Sequence, residues 1–343
     1  IFTKQAGLAL TRTDAEDVVS ASSVSEQKQT TTGSQQSNQL APLEEDPITK
    51  GYFLRPTVTK FESLEGLSDE LMRGISSLGY ELPSPVQRHG IVPVMENSTD
   101  LLIQAPAGQG KTATYGIGSL HVCEQQQQQQ EHKSVPFVNG PCVIVIEPTT
   151  DLANQTHSEL QKIGRFTDIK VVLCVGGVDV KENVASLRPR SKRVWTQGGG
   201  SEMVAPQFPG IIVGTLGRII SLISYGHLKT DNVRLLVLDE ADQLLESEHD
   251  TTVQQTMEIV SKLSRDQCKF ALFSATLTTD TLTMCENVLR HPGVHRSRDI
   301  GNIVSKSVDL YHINVDGYDR QGRDGVMRHL LDSIRGWGSI LIF

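Results

Sequence analysis

The chain has 343 residues, 38% of them hydrophobic and 21% charged, enough apolar material for one large core, so disorder throughout is excluded. With 40 acidic against 32 basic residues the formal charge is −8, and a polyanionic partner has to be met by a local surface rather than by the overall field. Nothing approaches the roughly 18–20 apolar residues of a membrane span, no leader pattern opens the chain, and the five cysteines (Cys123, Cys142, Cys174, Cys268, Cys285) lack CxxC spacing, which predicts an intracellular protein, cytoplasmic or nuclear, without membrane contact.

Residues 1–52, rich in Ser, Thr, Gln and acidic side chains (SVSEQKQTTTGSQQSNQL), show no sustained apolar period and are expected to be a disordered tail. In FESLEGLSDELMRGISSLG, Leu67, Leu71 and Ile75 recur at helical spacing between Leu64 and Leu78, with Ser68 and Glu70 marking a start. Short apolar runs then alternate with helical patterns. DLLIQ precedes KTATYGIGSLHVCE, CVIVIEP precedes TDLANQTHSELQKIG, and KVVLCVGG follows. GIIVGT leads into LGRIISLIS, RLLVLDE into a helix near Gln254–Leu263, and KFALFSAT into one near Thr279–Leu289. Continuous Val/Ile/Leu runs are the strands of a parallel sheet covered on both faces, so residues 53–300 read as a doubly wound α/β domain. Two insertions interrupt it: EQQQQQQEHK, a helix extension or loop, and RPRSKRVWTQGGGSEMVAPQFP, whose Arg188, Arg190, Lys192, Arg193 and Trp195 read as a solvated loop. From 301 to 343, VDLYHINV, GRDGVMRHLLDSI and GSILIF read as the opening of a second α/β domain; the start at Ile1 and the apolar end at Phe343 suggest a piece of a longer protein.

The chemistry concentrates in two places. LLIQAPAGQGKTATY puts a strand, a glycine turn and a helix opening at Lys111 in the context of a phosphate-binding P-loop, although Ala105 stands where the strict pattern has its first glycine. Backbone amides from Ala107 and Gly108 through Gln109 and Gly110 to Thr112 can surround phosphate oxygens, Lys111 can reach the β and γ phosphates, and the Thr112 hydroxyl can ligate Mg²⁺. Alone, this turn could still be a coincidence. VLDEAD then ends a strand in two carboxylates at the sheet edge where open α/β folds bind ligands: Asp239 to hold Mg²⁺, Glu240 to orient or deprotonate the attacking water.

APAGQGKT, VLDEAD and SAT (Ser274–Ala275–Thr276), in this order, resemble the DEAD-box RNA helicases, a family that writes alanine in that first P-loop position. Gly79–Gln87 (GYELPSPVQ), with Phe61 upstream across seventeen intervening residues, is similar to the family's Q motif. The resemblance implies that Gln87 binds the adenine edge and Phe61 packs on the ring. It also implies that Asp242 contacts the Ser274–Thr276 segment, coupling ATP to RNA. Pro148–Thr149–Thr150–Asp151–Leu152–Ala153–Asn154–Gln155 resembles PTRELAxQ with Thr150 for arginine, Gly176–Gly177 matches the double glycine, and Thr215–Leu216–Gly217–Arg218 resembles TPGR with leucine for proline. In the family these loops hold the RNA sugar-phosphate backbone, independent of sequence.

The implied protein is a RecA-like P-loop NTPase using ATP and Mg²⁺ for RNA-dependent hydrolysis and local unwinding, closest to the translation-initiation-factor branch. The second domain's arginines fall beyond Phe343, so this chain is expected to bind adenine nucleotide weakly and turn over almost none. An RNA clamp gated by nucleotide, without unwinding, is the alternative suggested by Thr150 and Leu216.

Overall fold

The computed structural model describes residues 10–12, 45, 49–132, 140–189, 193–195, 201–203, 208–245, 250–296, 311–313 and 320–334. The strands are β1 (Leu10–Arg12), β2 (Tyr52–Phe53), β3 (Leu101–Gln104), β4 (Val143–Glu147), β5 (Val171–Cys174), β6 (Arg193–Trp195), β7 (Ser201–Met203), β8 (Ile211–Thr215), β9 (Leu235–Leu238), β10 (Lys269–Ser274), β11 (Gly293–Arg296) and β12 (Tyr311–Ile313). The helices are α1 (Asp69–Ser77), α2 (Pro85–Glu96), α3 (Lys111–His132), α4 (Thr150–Ile163), α5 (Val180–Leu187), α6 (Leu216–Ser224), α7 (Ala241–Leu245), α8 (Asp250–Ser261), α9 (Thr279–Val288) and α10 (Arg320–Ile334). They fall into two compact units, residues 36–300 and the pair of segments 1–35 and 301–343.

In the larger unit eight strands form one sheet in the order β2-β11-β3-β10-β9-β4-β8-β5, and every neighbouring pair is parallel. Successive side chains of a strand point to opposite faces, so each apolar run feeds two cores. Leu101, Ile103, Val143, Val145, Ile211, Val213, Val237 and Phe273 join the cluster that includes Leu71 and Ile75 of α1 and Leu160 and Ile163 of α4. Leu102, Ile144, Ile146, Ile212, Leu236, Leu238, Phe270 and Leu272 join the one with Ile219 and Leu222 of α6 and Ile259 of α8. Burying each such side chain is worth roughly 1.5–3 kcal/mol, against about 1 kcal/mol spanned by the whole strand-propensity scale, so two-sided burial sets the register.

Local chemistry starts the helices. Ser68 caps α1 by accepting from Leu71 N at 3.1 Å. Ser84 and Gln87 form a capping box at α2, with Pro85 in the first turn. The polyglutamine run is helical: α3 continues through it to His132, and Gln126 Nε2 donates to Asn232 Oδ1 at 2.6 Å.

Some expectations need correcting. The basic insertion is more than a loop, because β6 and β7 pair as an antiparallel hairpin, Val194 opposite Glu202; Arg190 and Lys192 lie outside the described residues. The tail predicted to lack structure contains β1, paired antiparallel with β12. The rest of the tail up to residue 44, and the terminal run GSILIF, lie outside the described residues. Among the described residues no helix is long and apolar enough to cross a membrane.

Candidate functional site

Because the sheet is wholly parallel, the carboxyl ends of its strands share one edge, and there the predicted motifs line up in space. Reading across β3, β10, β9, β4, β8 and β5, that edge carries in turn the P-loop, Ser274–Thr276, Asp239–Glu240, Pro148–Thr149, Thr215–Arg218 and Gly176–Gly177. The three segments that the sequence suggests for nucleotide therefore sit beside the three it suggests for RNA, on six adjacent strands.

The P-loop is built as a phosphate cradle. Ala105 is fully buried and its N–H donates to Ser274 O at 3.0 Å, so this position is a packing site where a small side chain fits without positive φ. Gly108 and Gly110 take the left-handed region at φ 77° and 89°, which glycine adopts without steric cost. A Cβ at Gly110 would lie 2.5 Å from Gln87 Nε2. Ala107 through Thr112 line a cleft of about 570 Å³ together with Gln87, Glu147, Asp239 and Glu240.

Lys111 is buried and its Nζ lies 3.4 Å from Glu240 Oε1. Glu240 sits at φ 45°, a left-handed conformation that costs a non-glycine residue of order 1 kcal/mol and that persists here beside the P-loop. Its N–H donates to Asp239 Oδ1 at 2.9 Å. Behind them lies a buried polar cluster absent from the sequence reading: Tyr115 Oη donates to Asp239 Oδ2 at 2.8 Å, and Thr156 Oγ1 donates to Glu147 Oε1 at 2.6 Å. Burial pushes the Glu147 carboxyl well above its usual range, the charge on Asp239 adds to this, and the hydrogen bonds from Thr156 and Tyr115 oppose it. Burial likewise raises Asp239, against the hydrogen bond from Tyr115 and the charge of Lys111. The Tyr115 phenol, buried between carboxylates, is pushed far up and stays a donor.

At the base end the placement differs from expectation. Gln87 lines the cleft, but its Oε1 already accepts from Ser84 N at 2.8 Å, while Ser84 Oγ donates to Gln109 O at 2.6 Å, tying α2 to the P-loop. Phe61 does not line the cleft. Its ring is 2% exposed and stacks on Tyr80 at 6.1 Å between centroids, and Tyr80 is the aromatic that reaches the cleft. Tyr80 donates to Glu159 Oε1 at 3.3 Å.

Asp242 accepts from Thr276 Oγ1 at 2.5 Å, and Thr276 N donates to Ser274 Oγ at 3.2 Å, so these three residues form one contact between the ends of β9 and β10. On the other half of the edge, Thr149 caps α4 by accepting from Leu152 N at 3.3 Å, and Thr149, Gly176, Gly177 and Gly217 are exposed. Leu216, in the proline position of TPGR, is the first residue of α6 and is buried in the second core cluster. Arg218 donates to Val178 O at 2.8 Å and also to Asn183 Oδ1, so its guanidinium braces the double-glycine turn as well as standing at the RNA-type edge.

The residues fit a hard divalent cation: the Thr112 hydroxyl and the Asp239 carboxylate, both oxygen donors, line the same cleft as the phosphate cradle. The missed residues Tyr80, Tyr115, Glu147 and Thr156 left one legible trace, since the run VIVIE ends in a carboxylate just as VLD does, one residue beyond the paired positions Ile146 and Leu238.

A glycine cradle opening a helix after a parallel strand, with a lysine and two carboxylates facing it, defines a P-loop nucleoside-triphosphate domain of RecA-like fold. The DEAD/DEAH box helicase family matches residues 84–284, more than half of the chain, and the chain belongs to that family. It is 31% identical over 232 residues to the "ATP-dependent RNA helicase eIF4A" of Neosartorya fischeri, covering 68% of this chain and 50% of that protein. Similar folds include a DEAD box protein from Methanococcus jannaschii (TM-score 0.57, 24% identity, 71% of this chain and 58% of that one). Another is S. cerevisiae Dbp5 bound to RNA and ADP BeF3 (TM-score 0.54, 23% identity, 70% and 52%). The chain thus spans about half the length of the relatives it matches.

Proposed function

We propose that the chain is the ATP-binding half of an RNA-dependent ATPase that separates or remodels RNA. One observation carries this: Lys111, Glu240 and Asp239 meet beneath the phosphate cradle on the same sheet edge that presents Thr149, Gly176–Gly177 and Thr215–Arg218. The relative from Neosartorya fischeri is named an ATP-dependent RNA helicase, and the Dbp5 structure holds RNA and ADP BeF3.

In this reading Lys111 binds the β and γ phosphates, and the cradle amides fix their oxygens. Glu240 faces the γ-phosphate end, where it orients water and accepts its proton. Thr112 and Asp239 would hold Mg²⁺, which neutralises phosphate charge when bound. Gln87 and Tyr80 contact the base. The Asp242–Thr276 bond links the carboxylate turn to the Ser274–Thr276 segment and so carries the coupling to RNA.

The test compares two proteins. The complete polypeptide that contains this chain should hydrolyse ATP when RNA is added and not when DNA is. The 343-residue chain alone should turn over slower by about 10³ or more, because arginines contributed from a second domain supply that much in related phosphoryl transfer. Vigorous RNA-stimulated turnover by the 343-residue chain, or indifference of the complete protein to RNA, would contradict the proposal.

A further inference from the structure

We propose that Tyr115 and Glu147 are positioning residues for Asp239, a buried brace that holds its carboxylate in the orientation a Mg²⁺–nucleotide requires. The proposal rests on the function proposed above and adds two residues to its machinery.

Asp239 is 5% exposed, and each carboxylate oxygen has a donor: Oδ1 takes the Glu240 N–H at 2.9 Å and Oδ2 takes the Tyr115 hydroxyl at 2.8 Å. Two donors on two oxygens fix the plane of the group. The first comes from the strained turn itself, so among the described residues Tyr115 is the hydrogen-bond donor that ties this carboxylate to a separate element, while the Asp239 N–H donates to Ile146 O of β4 at 3.1 Å. Tyr115 lies on α3, one turn beyond Lys111, and its ring is fully buried edge-on to Phe273 of β10, with centroids 5.1 Å apart. The ring cannot swing; its hydroxyl marks a fixed point.

A phenol has one proton and can also accept. Tyr115 Oη also lies 3.2 Å from both Glu147 Oε1 and Thr156 Oγ1, so the hydroxyl that donates to Asp239 is packed against both groups from behind. Thr156 donates to Glu147 at 2.6 Å, closing the group across α3, β4 and α4. Four side chains, from α3, β4, α4 and the turn after β9, thus share one largely buried cluster that opens to the cleft at Glu147, Thr156 and Asp239, while Tyr115 does not line it. Glu147 immediately precedes Pro148 and Thr149, so the brace is rooted in the segment placed at the RNA-type edge. The Tyr115 hydroxyl is aimed at the carboxylate proposed to hold the metal. Partners of this kind typically carry 10–100-fold of metal affinity.

The experiment measures the affinity of the 343-residue chain for a fluorescent ATP analogue, with Mg²⁺ and with EDTA, and takes the ratio. Tyr115→Phe should cut the gain from Mg²⁺ by about tenfold and leave metal-free affinity within about twofold. Glu147→Leu, which leaves Thr156 without its acceptor and removes the group packed behind the Tyr115 hydroxyl, should act in the same direction, and Glu147→Gln, which still accepts from Thr156, should restore most of the gain. A Tyr115→Phe protein that keeps the wild-type ratio overturns the proposal, as does one in which both affinities fall together, the sign of a merely structural role. A wild-type chain that gains nothing from Mg²⁺ overturns instead the proposed function on which it rests.

Discussion

Replacing Glu240 with Gln should leave ATP binding by the complete protein nearly intact and lower its RNA-stimulated turnover by about 10²–10⁴, the range that a positioned general base supplies. The two side chains have the same size, and the Gln carbonyl can still accept from Lys111 Nζ, now 3.4 Å from Oε1, so the P-loop keeps its shape. An amide cannot take a proton from water. The backbone at φ 45° is already set by the turn and by the Glu240 N–H to Asp239 bond, neither of which the substitution touches. Single-turnover hydrolysis with RNA in excess, beside equilibrium ATP binding, separates the two effects. Retained turnover would remove Glu240 from the chemistry, and lost binding would give it a structural role instead.

Gly74→Ala should be the most damaging small substitution in the fold. An alanine Cβ there would lie 1.8 Å from Ile163 O, the carbonyl at the end of α4 against which α1 packs, and no rotamer relieves a clash with backbone. Alanine gains about 1 kcal/mol of helix propensity over glycine, whereas overpacking of this kind costs up to about 3 kcal/mol or more, so the clash wins by about 2 kcal/mol. For a domain of this size the melting temperature should fall by about 4–8 °C. Gly176→Ala, where nothing lies within 4 Å, should leave it within a degree or two on the same scale. An unchanged melting temperature in Gly74→Ala would mean that α1 and α4 are packed less closely than described.

The elements legible in the sequence were those whose apolar runs are long and pure. LLIQ, VIVIE, IIVGT, LLVL and KFALFS announce buried parallel strands because each must satisfy two cores at once. The strand β11 escaped because GVHR mixes His295 and Arg296 into a four-residue run, and α2 escaped because its apolar positions are interrupted by Arg88 and His89. Its start was nonetheless written in Ser84, Pro85 and Gln87, which form a capping box before they form anything else. The same residues show what motif reading alone leaves out. Gln87 spends one oxygen on Ser84, and Phe61 packs into the core beneath Tyr80, because spacing along a chain does not say which aromatic faces the cleft. The P-loop and carboxylate turn were legible because their chemistry is local to one turn each. The Tyr115–Glu147–Thr156 brace was not, since its members come from three elements joined only by the strand order.

Lys111 is proposed to bind phosphate in a cleft that accepts adenine nucleotide. Calorimetric titration of the 343-residue chain with Mg²⁺–ATP tests this most directly. Wild type should bind ATP in preference to GTP, and Lys111→Ala should weaken ATP by about 100-fold, as expected when a buried charge that meets its partner is removed. Equal binding by wild type and Lys111→Ala would contradict the assignment of this cleft.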